Sequence, residues 1–202
     1  MRRVKIAALV FAFAACVPHR SPRVASPEDA SARATAQAIA ARLAADPDDV
    51  EARLALAETR RVAGDAEGAL VEAWKALASD PKSEAAQIER ARIYFDRGLL
   101  SKEIEAWRAA LDLVPADADA RENLGHALLA AGRSADAAVE YRLALDGRPD
   151  SKAALYNLAQ LETDAGRREV ARSLWTRYLQ IDAAGPWADK ARAALATLEA
   201  HP

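Results

Sequence analysis

Few side chains in this sequence have the type and spacing needed for chemistry. Histidine and cysteine are the usual metal ligands and nucleophiles, and the 202 residues include three histidines and one cysteine. His19, His126 and His201 do not have the spacing of a metal site, and the chain has no HExxH motif, phosphate-binding loop or nucleophile elbow. We therefore expect no catalytic residues, no metal or other cofactor and no small-molecule substrate.

The single cysteine, Cys16, follows a segment that is typical of a secretory signal. Arg2, Arg3 and Lys5 precede an unbroken apolar run over residues 6–15. That run is too short to span a bilayer, and small residues close it. We therefore predict export from the cytoplasm.

Two processing sites fit this segment. Residues 12–14 (Ala-Phe-Ala) match the small-x-small pattern of ordinary signal peptidase, which would release a soluble periplasmic protein. Residues 13–16 (Phe-Ala-Ala-Cys) resemble the lipobox of bacterial lipoproteins, in which the cysteine receives the lipid and becomes the first mature residue. That resemblance implies that residues 1–15 are a lipoprotein signal peptide and that Cys16 anchors the protein in a membrane. Because Val17 and not Asp follows, it also implies an outer-membrane lipoprotein that faces the periplasm.

A 34-residue repeat runs through the rest of the chain. The recurring residues are Pro47, Pro81, Pro115 and Pro149; Gly64, Gly98, Gly132 and Gly166; and Leu77, Leu111, Leu145 and Leu179. Glycine permits the turn that ends a helix, and the residue before proline is pushed out of the helical region, so each unit predicts two helices. We place the units at residues 50–83, 84–117, 118–151 and 152–185.

Small and bulky residues also recur in register within these units. They are Ala57, Ala91, Gly125 and Ala159 in the first helix; Ala69, Ala137 and Ala171 in the second; and Trp107, Tyr141 and Trp175 after them. This pattern resembles the tetratricopeptide repeat family. The resemblance implies an all-α, right-handed superhelical solenoid of four helical hairpins, which binds a protein or peptide partner.

The sequence departs from the family pattern in two ways. The first-helix tryptophan of the family is replaced in the four units by Arg53, Gln87, Arg121 and Leu155. The second unit has Arg90 where leucine is expected and Glu103 where a small residue is expected. We therefore expect the second unit to be the least regular of the four.

Both ends of the repeat array are predicted to be covered. Residues 27–46 form an N-terminal helix, equivalent to half a repeat, and residues 186–200 form a C-terminal capping helix with Trp187 on its apolar stripe. Residues 16–26 connect the signal to this array as a flexible tether. The formal net charge of −2 is too small to indicate a nucleic-acid partner.

The family resemblance also indicates where a partner would bind, because its first helices line the concave face of the solenoid. The partner-binding residues expected on that face are Leu54, Glu58, Arg61, Ile88, Arg92, Phe95, Glu122, His126, Leu129, Tyr156, Asn157 and Gln160. An equally open interpretation is that the apolar members pack between adjacent first helices and the acidic members only solvate the surface. Some family members clamp a C-terminal carboxylate on this face, but Leu54 and Glu122 occupy the places of the lysines that the clamp needs.

These features predict a non-catalytic adaptor that is anchored in the bacterial envelope and helps to assemble or position an envelope complex. The chain resembles small repeat lipoproteins that assist pilus secretins, outer-membrane assembly complexes or peptidoglycan hydrolases. A permanent structural subunit of one envelope complex, or an unanchored periplasmic binding module, is the alternative.

The anchor can be tested by metabolic labelling with palmitate. We expect the wild-type chain to incorporate label and Cys16→Ser to incorporate none, because Cys16 is the only cysteine that could receive the lipid. An unlabelled wild-type chain would exclude lipidation and favour the soluble periplasmic form.

Overall fold

The computed structural model describes residues 27–200 of the chain, and the side chains of residues 33–200. The predicted signal peptide, the tether and Cys16 lie outside the described residues. The described part is entirely helical, which confirms the predicted all-α class. It falls into two units, of which the first ends at Thr35 and the second begins at Ala36. The repeats belong to the second unit, which is described here by itself.

Ten helices make up residues 27–200, beginning with α1 (Pro27–Ala45) and ending with α10 (Ala188–Ala200). Between them lie four helical hairpins, one inside each of the 34-residue units. The first helices are α2 (Val50–Val62), α4 (Glu84–Asp96), α6 (Ala118–Ala130) and α8 (Lys152–Asp164). The second helices are α3 (Ala66–Ser79), α5 (Leu100–Leu113), α7 (Ser134–Gly147) and α9 (Arg168–Ile181).

The ends of each first helix follow from residues that repeat every 34 positions. At the start, a side-chain oxygen accepts a hydrogen bond from the backbone N–H three residues later and caps the helix. The capping residues are Asp49, Ser83, Asp117 and Ser151. At the end, the repeated glycines adopt φ between 65° and 84°, a conformation that glycine reaches without strain. These two signals set the length of the first helix in every repeat.

Small residues let the two helices of each hairpin approach closely. Ala57, Ala91 and Ala159 of the first helices have no exposed surface, and neither do Ala69, Ala137 and Ala171 of the second helices. Gly125 shows how tight the approach is, since a Cβ atom added to it would lie 2.7 Å from Cε1 of Tyr141. The packing therefore depends on the absence of larger side chains at the crossing.

Ion pairs stand where the family has its first-helix tryptophan. Nη1 of Arg53 lies 2.9 Å from the Glu72 carboxylate, and Nη1 of Arg121 lies 2.9 Å from the Glu140 carboxylate, in each case joining the two helices of one hairpin. The Arg121 guanidinium also donates to the carbonyl of Pro115 in the loop before its helix, at 2.9 Å from Nε. Each arginine thus links its own helix to a neighbouring helix and loop.

The other two hairpins fill the same place without this ion pair. In the fourth, Leu155 is fully buried and Leu174, at the position of Glu72 and Glu140, packs against the same apolar cluster. In the second, Gln87 accepts a hydrogen bond from Arg90, and Ala106 occupies the partner position. The two positions therefore match in polarity in the first, third and fourth hairpins, whereas the second combines glutamine with alanine.

The second hairpin keeps the arrangement of the other three, despite its departures from the pattern. Helices α4 and α5 pack against each other as the helices of the other hairpins do. Arg90 places its Cζ atom 3.8 Å from the centroid of the exposed Trp74 ring, a cation–π contact with the preceding repeat. Glu103, in the place of a small residue, is buried with 5% of its surface exposed.

The two terminal helices differ from expectation. Ile39 is the one buried side chain among residues 33–45 of α1, so this part of the helix exposes most of its surface. Helix α10 packs against α9, but it begins at Ala188, two residues after the predicted start. Trp187 therefore precedes the helix and is 48% exposed, and it does not belong to the buried stripe of α10. No helix among the described residues combines the length and apolar character needed to cross a bilayer.

The ion pair of the third hairpin can be tested against the apolar pair of the fourth. We expect Glu140→Leu to lower the free energy of unfolding by about 1–3 kcal/mol, because it leaves the Arg121 guanidinium without its carboxylate. The double variant Arg121→Leu/Glu140→Leu, which copies the fourth hairpin, should lie within about 1 kcal/mol of the wild type. Urea denaturation followed by circular dichroism measures both.

Asp136→Ala, which removes an exposed partner of Arg133, serves as the control and should change little. A double variant as unstable as Glu140→Leu would contradict the interpretation that the two positions are matched.

Candidate partner-binding groove

We call the surface of the four first helices the first-helix face. All the predicted partner-binding residues have solvent-accessible surface on these helices. Four are exposed: Glu58, Arg92, Phe95 and Gln160. The other eight are half-buried: Leu54, Arg61, Ile88, Glu122, His126, Leu129, Tyr156 and Asn157. A partner lying on this face could therefore touch any of them.

Two charged residues of the first-helix face are already bound within the chain. Arg61 donates to Glu89 at 2.9 Å and to Asp96 at 3.0 Å, which links the first repeat to the second. Glu122 accepts hydrogen bonds from the Arg148 guanidinium at 3.1 Å and from the Ser151 hydroxyl, which ties α6 to the loop between α7 and α8. These two side chains are therefore held by contacts within the chain, in contrast to the exposed Glu58.

A cavity of about 300 Å³ opens on the first-helix face between the second and third repeats. It is lined by Arg92 and Phe95 of α4, Glu103 and Trp107 of α5, and Asn123 and His126 of α6. Phe95 is 68% exposed. Glu103 is buried beside the Trp107 indole, which donates to its carboxylate at 3.4 Å. Burial raises the pKa of Glu103, and the indole hydrogen bond offsets part of that effect.

His126 is an uncharged member of this cavity wall at neutral pH. Burial lowers the pKa of its imidazole, against a smaller opposing effect of Glu122. Its Nε2 atom lies 3.0 Å from the Asn157 amide nitrogen, and its ring meets the edge of Tyr141 at a centroid distance of 5.4 Å. Its contacts are therefore those of a packed polar residue, shared between the third and fourth repeats.

A second cavity, of about 410 Å³, lies at the C-terminal end of the first-helix face. Aromatic rings dominate its wall: the centroid of Tyr156 is 5.6 Å from that of Tyr178 and 5.3 Å from that of Trp187. An ion pair between Lys152 and Asp182, at 3.4 Å, contributes to the same wall. The cavity thus combines apolar surface with charges of both signs.

Two residues of this second cavity, Tyr156 and Asn157, were predicted from the sequence as partner-binding residues, whereas Tyr178 and Trp187 were not. Tyr178 belongs to a second helix, whereas the resemblance to the family indicates binding residues on first helices alone. Trp187 was assigned to the capping helix, although Gly185 and Pro186 before it indicate a turn. Within residues 27–200, no group of histidine, cysteine or acidic side chains is arranged to hold a metal ion.

Two protein-family models match the sequence in its repeats. A TPR repeat model matches residues 91–132, and a tetratricopeptide repeat model matches residues 122–186. Together they extend from α4 to the turn before α10. No protein of curated function shows significant sequence similarity to the chain.

Solved structures of the same fold were found at low sequence identity. A crystal structure of MamA is 24% identical with a TM-score of 0.65, and the match covers 81% of this chain and 91% of that chain. The crystal structure of YrrB, described as a TPR protein with an unusual peptide-binding site, is 17% identical with a TM-score of 0.71. The match covers 81% of this chain and 83% of that chain. The structure of PilF from Pseudomonas aeruginosa is 18% identical with a TM-score of 0.71, and the match covers 85% of this chain and 82% of that chain. These similarities confirm the predicted solenoid of helical hairpins.

The pKa of His126 can be measured by NMR titration of its imidazole signals, identified through His126→Gln. We expect a midpoint below the ordinary value of about 6.5, because burial disfavours the charged ring. Between about 6.5 and the lower pKa of the folded state, the unfolded chain binds a proton at this imidazole and the folded chain does not. The contribution of His126 to stability is therefore lost as the pH falls through this window. A midpoint at or above about 6.5 would contradict the burial of an uncharged ring.

Proposed function

We propose that this chain, which matches tetratricopeptide repeat models over residues 91–132 and 122–186, is a non-catalytic scaffold whose first-helix face binds a segment of a partner protein. The observation that carries the proposal is the pair of cavities on that face. One lies between the second and third repeats, and the other lies beside the fourth repeat. Both are lined by aromatic side chains together with charged or polar groups, which is the usual composition of a recognition site.

The exposure of Phe95 supports this assignment. With 68% of its surface exposed, the ring contributes little to the core of the solenoid and presents apolar surface at the first cavity. Large exposed aromatic residues at the edge of a pocket are common anchors in protein–protein recognition. A protein of the same fold, YrrB, is described as having a peptide-binding site.

We place this scaffold in the bacterial envelope, where it assists the assembly or positioning of a complex. The support comes from the sequence, namely the signal-like segment and the lipobox resemblance of residues 13–16. A lipid on Cys16 would attach the protein to the outer membrane, with the repeats in the periplasm. Cleavage by ordinary signal peptidase would instead give a soluble periplasmic module with the same binding face.

A permanent structural subunit of an envelope complex is the second candidate. The exposed apolar side chains on second helices, among them Val71, Val139 and Val170, favour it, because a permanent interface would cover them. The two candidates differ in the behaviour of the purified chain: a scaffold is monomeric and stable alone, whereas a permanent subunit aggregates without its partner.

Site-specific photocrosslinking in the native cells tests the binding face. With p-benzoylphenylalanine in place of Phe95, we expect a covalent adduct of defined size, because this position is exposed at the first cavity. Charge reversal of the exposed Glu58, in the same chain, should reduce the yield of that adduct if the partner extends along the face.

The matched control carries the photocrosslinker at Val139, a position of similar chemistry on the second helix α7 with 48% exposure. It should yield no such adduct. Capture from Val139 together with no capture from Phe95 would overturn the proposal and place the interface on the second helices.

A further inference from the structure

We propose that the cavity between the second and third repeats receives an arginine side chain of the partner, with the Glu103 carboxylate as its counter-ion. This inference rests on the proposed function of the first-helix face and specifies the chemistry that the face recognises. The cavity, at about 300 Å³, is at the small end of the range for ligand pockets, which suits one side chain better than a separate small molecule.

The position of Glu103 is the first reason. The equivalent residues of the other three second helices are Ala69, Ala137 and Ala171, and all three are fully buried. Glu103 is 5% exposed at the same place, so the second repeat buries a carboxylate where the other repeats bury a methyl group. Burying a carboxylate costs free energy unless it is paired, and within residues 33–200 Glu103 has one side-chain hydrogen bond, the 3.4 Å contact from the Trp107 indole.

The charges around the cavity are the second reason. The carboxylates of Glu58, Glu89 and Asp96 lie on the same face, and Arg61 and Arg92 are the cations bound among them. Arg61 pairs with Glu89 and Asp96, and Arg92 approaches Glu89 at 3.7 Å. Within the described residues, Glu103 has no ion-pair partner. Arg92 and Glu103 are the two charged residues that line the cavity, and Arg92 approaches Glu89, so a partner's cation would complement the unpaired carboxylate of Glu103.

The groups around Glu103 suit a guanidinium better than an ammonium. The exposed ring of Phe95 provides aromatic surface on which a flat guanidinium stacks. Asn123 also lines the cavity, and its amide nitrogen donates to the Asp119 carbonyl at 2.8 Å, which leaves the side-chain oxygen available as an acceptor. His126 adds no positive charge, because burial lowers its pKa. Arginine offers five N–H donors to such acceptors.

Titration of the full-length, isotopically labelled chain with L-argininamide tests the proposal. The chain has four tryptophans, and the indole N–H signal of Trp107 is assigned by its absence from the NMR spectrum of Trp107→Phe. Because the Trp107 N–H contacts Glu103, we expect its signal to shift and saturate with argininamide, with a dissociation constant of about 1 mM or weaker. L-citrullinamide has nearly the same shape without the charge, and it should bind at least about tenfold more weakly.

Two variants of Glu103 separate recognition from folding. Glu103→Gln should weaken the argininamide response of Trp107 by about tenfold, which is the effect of losing one charge-assisted hydrogen bond. Glu103→Ala places in α5 the residue that the other second helices carry, so it should abolish the response and still unfold at the wild-type temperature or above it. Glu105→Gln, on the exposed side of the same helix, is the matched control and should respond like the wild type.

The proposal is overturned if argininamide leaves the Trp107 signal unchanged, or if Glu103→Gln or citrullinamide gives the wild-type response. That outcome differs from failure of the proposed function, which the photocrosslinking at Phe95 measures separately. Adduct formation at Phe95 without an argininamide response would mean that the face binds a partner by its apolar side chains alone.

Discussion

The close approach of two helices within each hairpin is the constraint on which the rest of this structure depends. Alanine or glycine lies at the crossing in every first helix, and a single Cβ added at Gly125 would enter the ring of Tyr141. Close helices bring their backbones and small side chains into dense contact, but alanine buries little apolar surface. The solenoid therefore needs further interactions, both within each hairpin and between successive hairpins, beyond those of its small residues.

Those further interactions differ from repeat to repeat. The continuous apolar core extends from Ala91 to Leu198, whereas the first repeat contributes two small clusters built mostly of alanine. In that first repeat, the Arg53–Glu72 pair and the bonds from Arg61 to Glu89 and Asp96 provide contacts that aromatic residues provide later in the chain. Paired charges thus occur along the whole array, whereas the aromatic packing is concentrated in its C-terminal half.

The hairpins could be predicted from sequence because their signals are local and repeated. Glycine, proline and small residues at a period of 34 determine where helices end and where they cross, independently of distant contacts. The groove could be predicted only in part. Its first-helix members were identified. The hydrogen bonds that hold Arg61 and Glu122, and the places of Tyr178 and Trp187, depend on contacts between residues far apart in sequence. Helical period alone carries no information about such contacts.

Exceptions to the repeat pattern separate structural residues from candidate functional ones. Arg53 and Arg121 replace a large aromatic residue, and each has a carboxylate partner inside its own hairpin, so the substitution is compensated by the fold. Arg90 replaces leucine and stacks on Trp74, which compensates it as well. Glu103 also breaks the pattern, but among the described residues it meets no cation. A residue that costs stability and is not compensated within its own chain is best explained by a partner that compensates it.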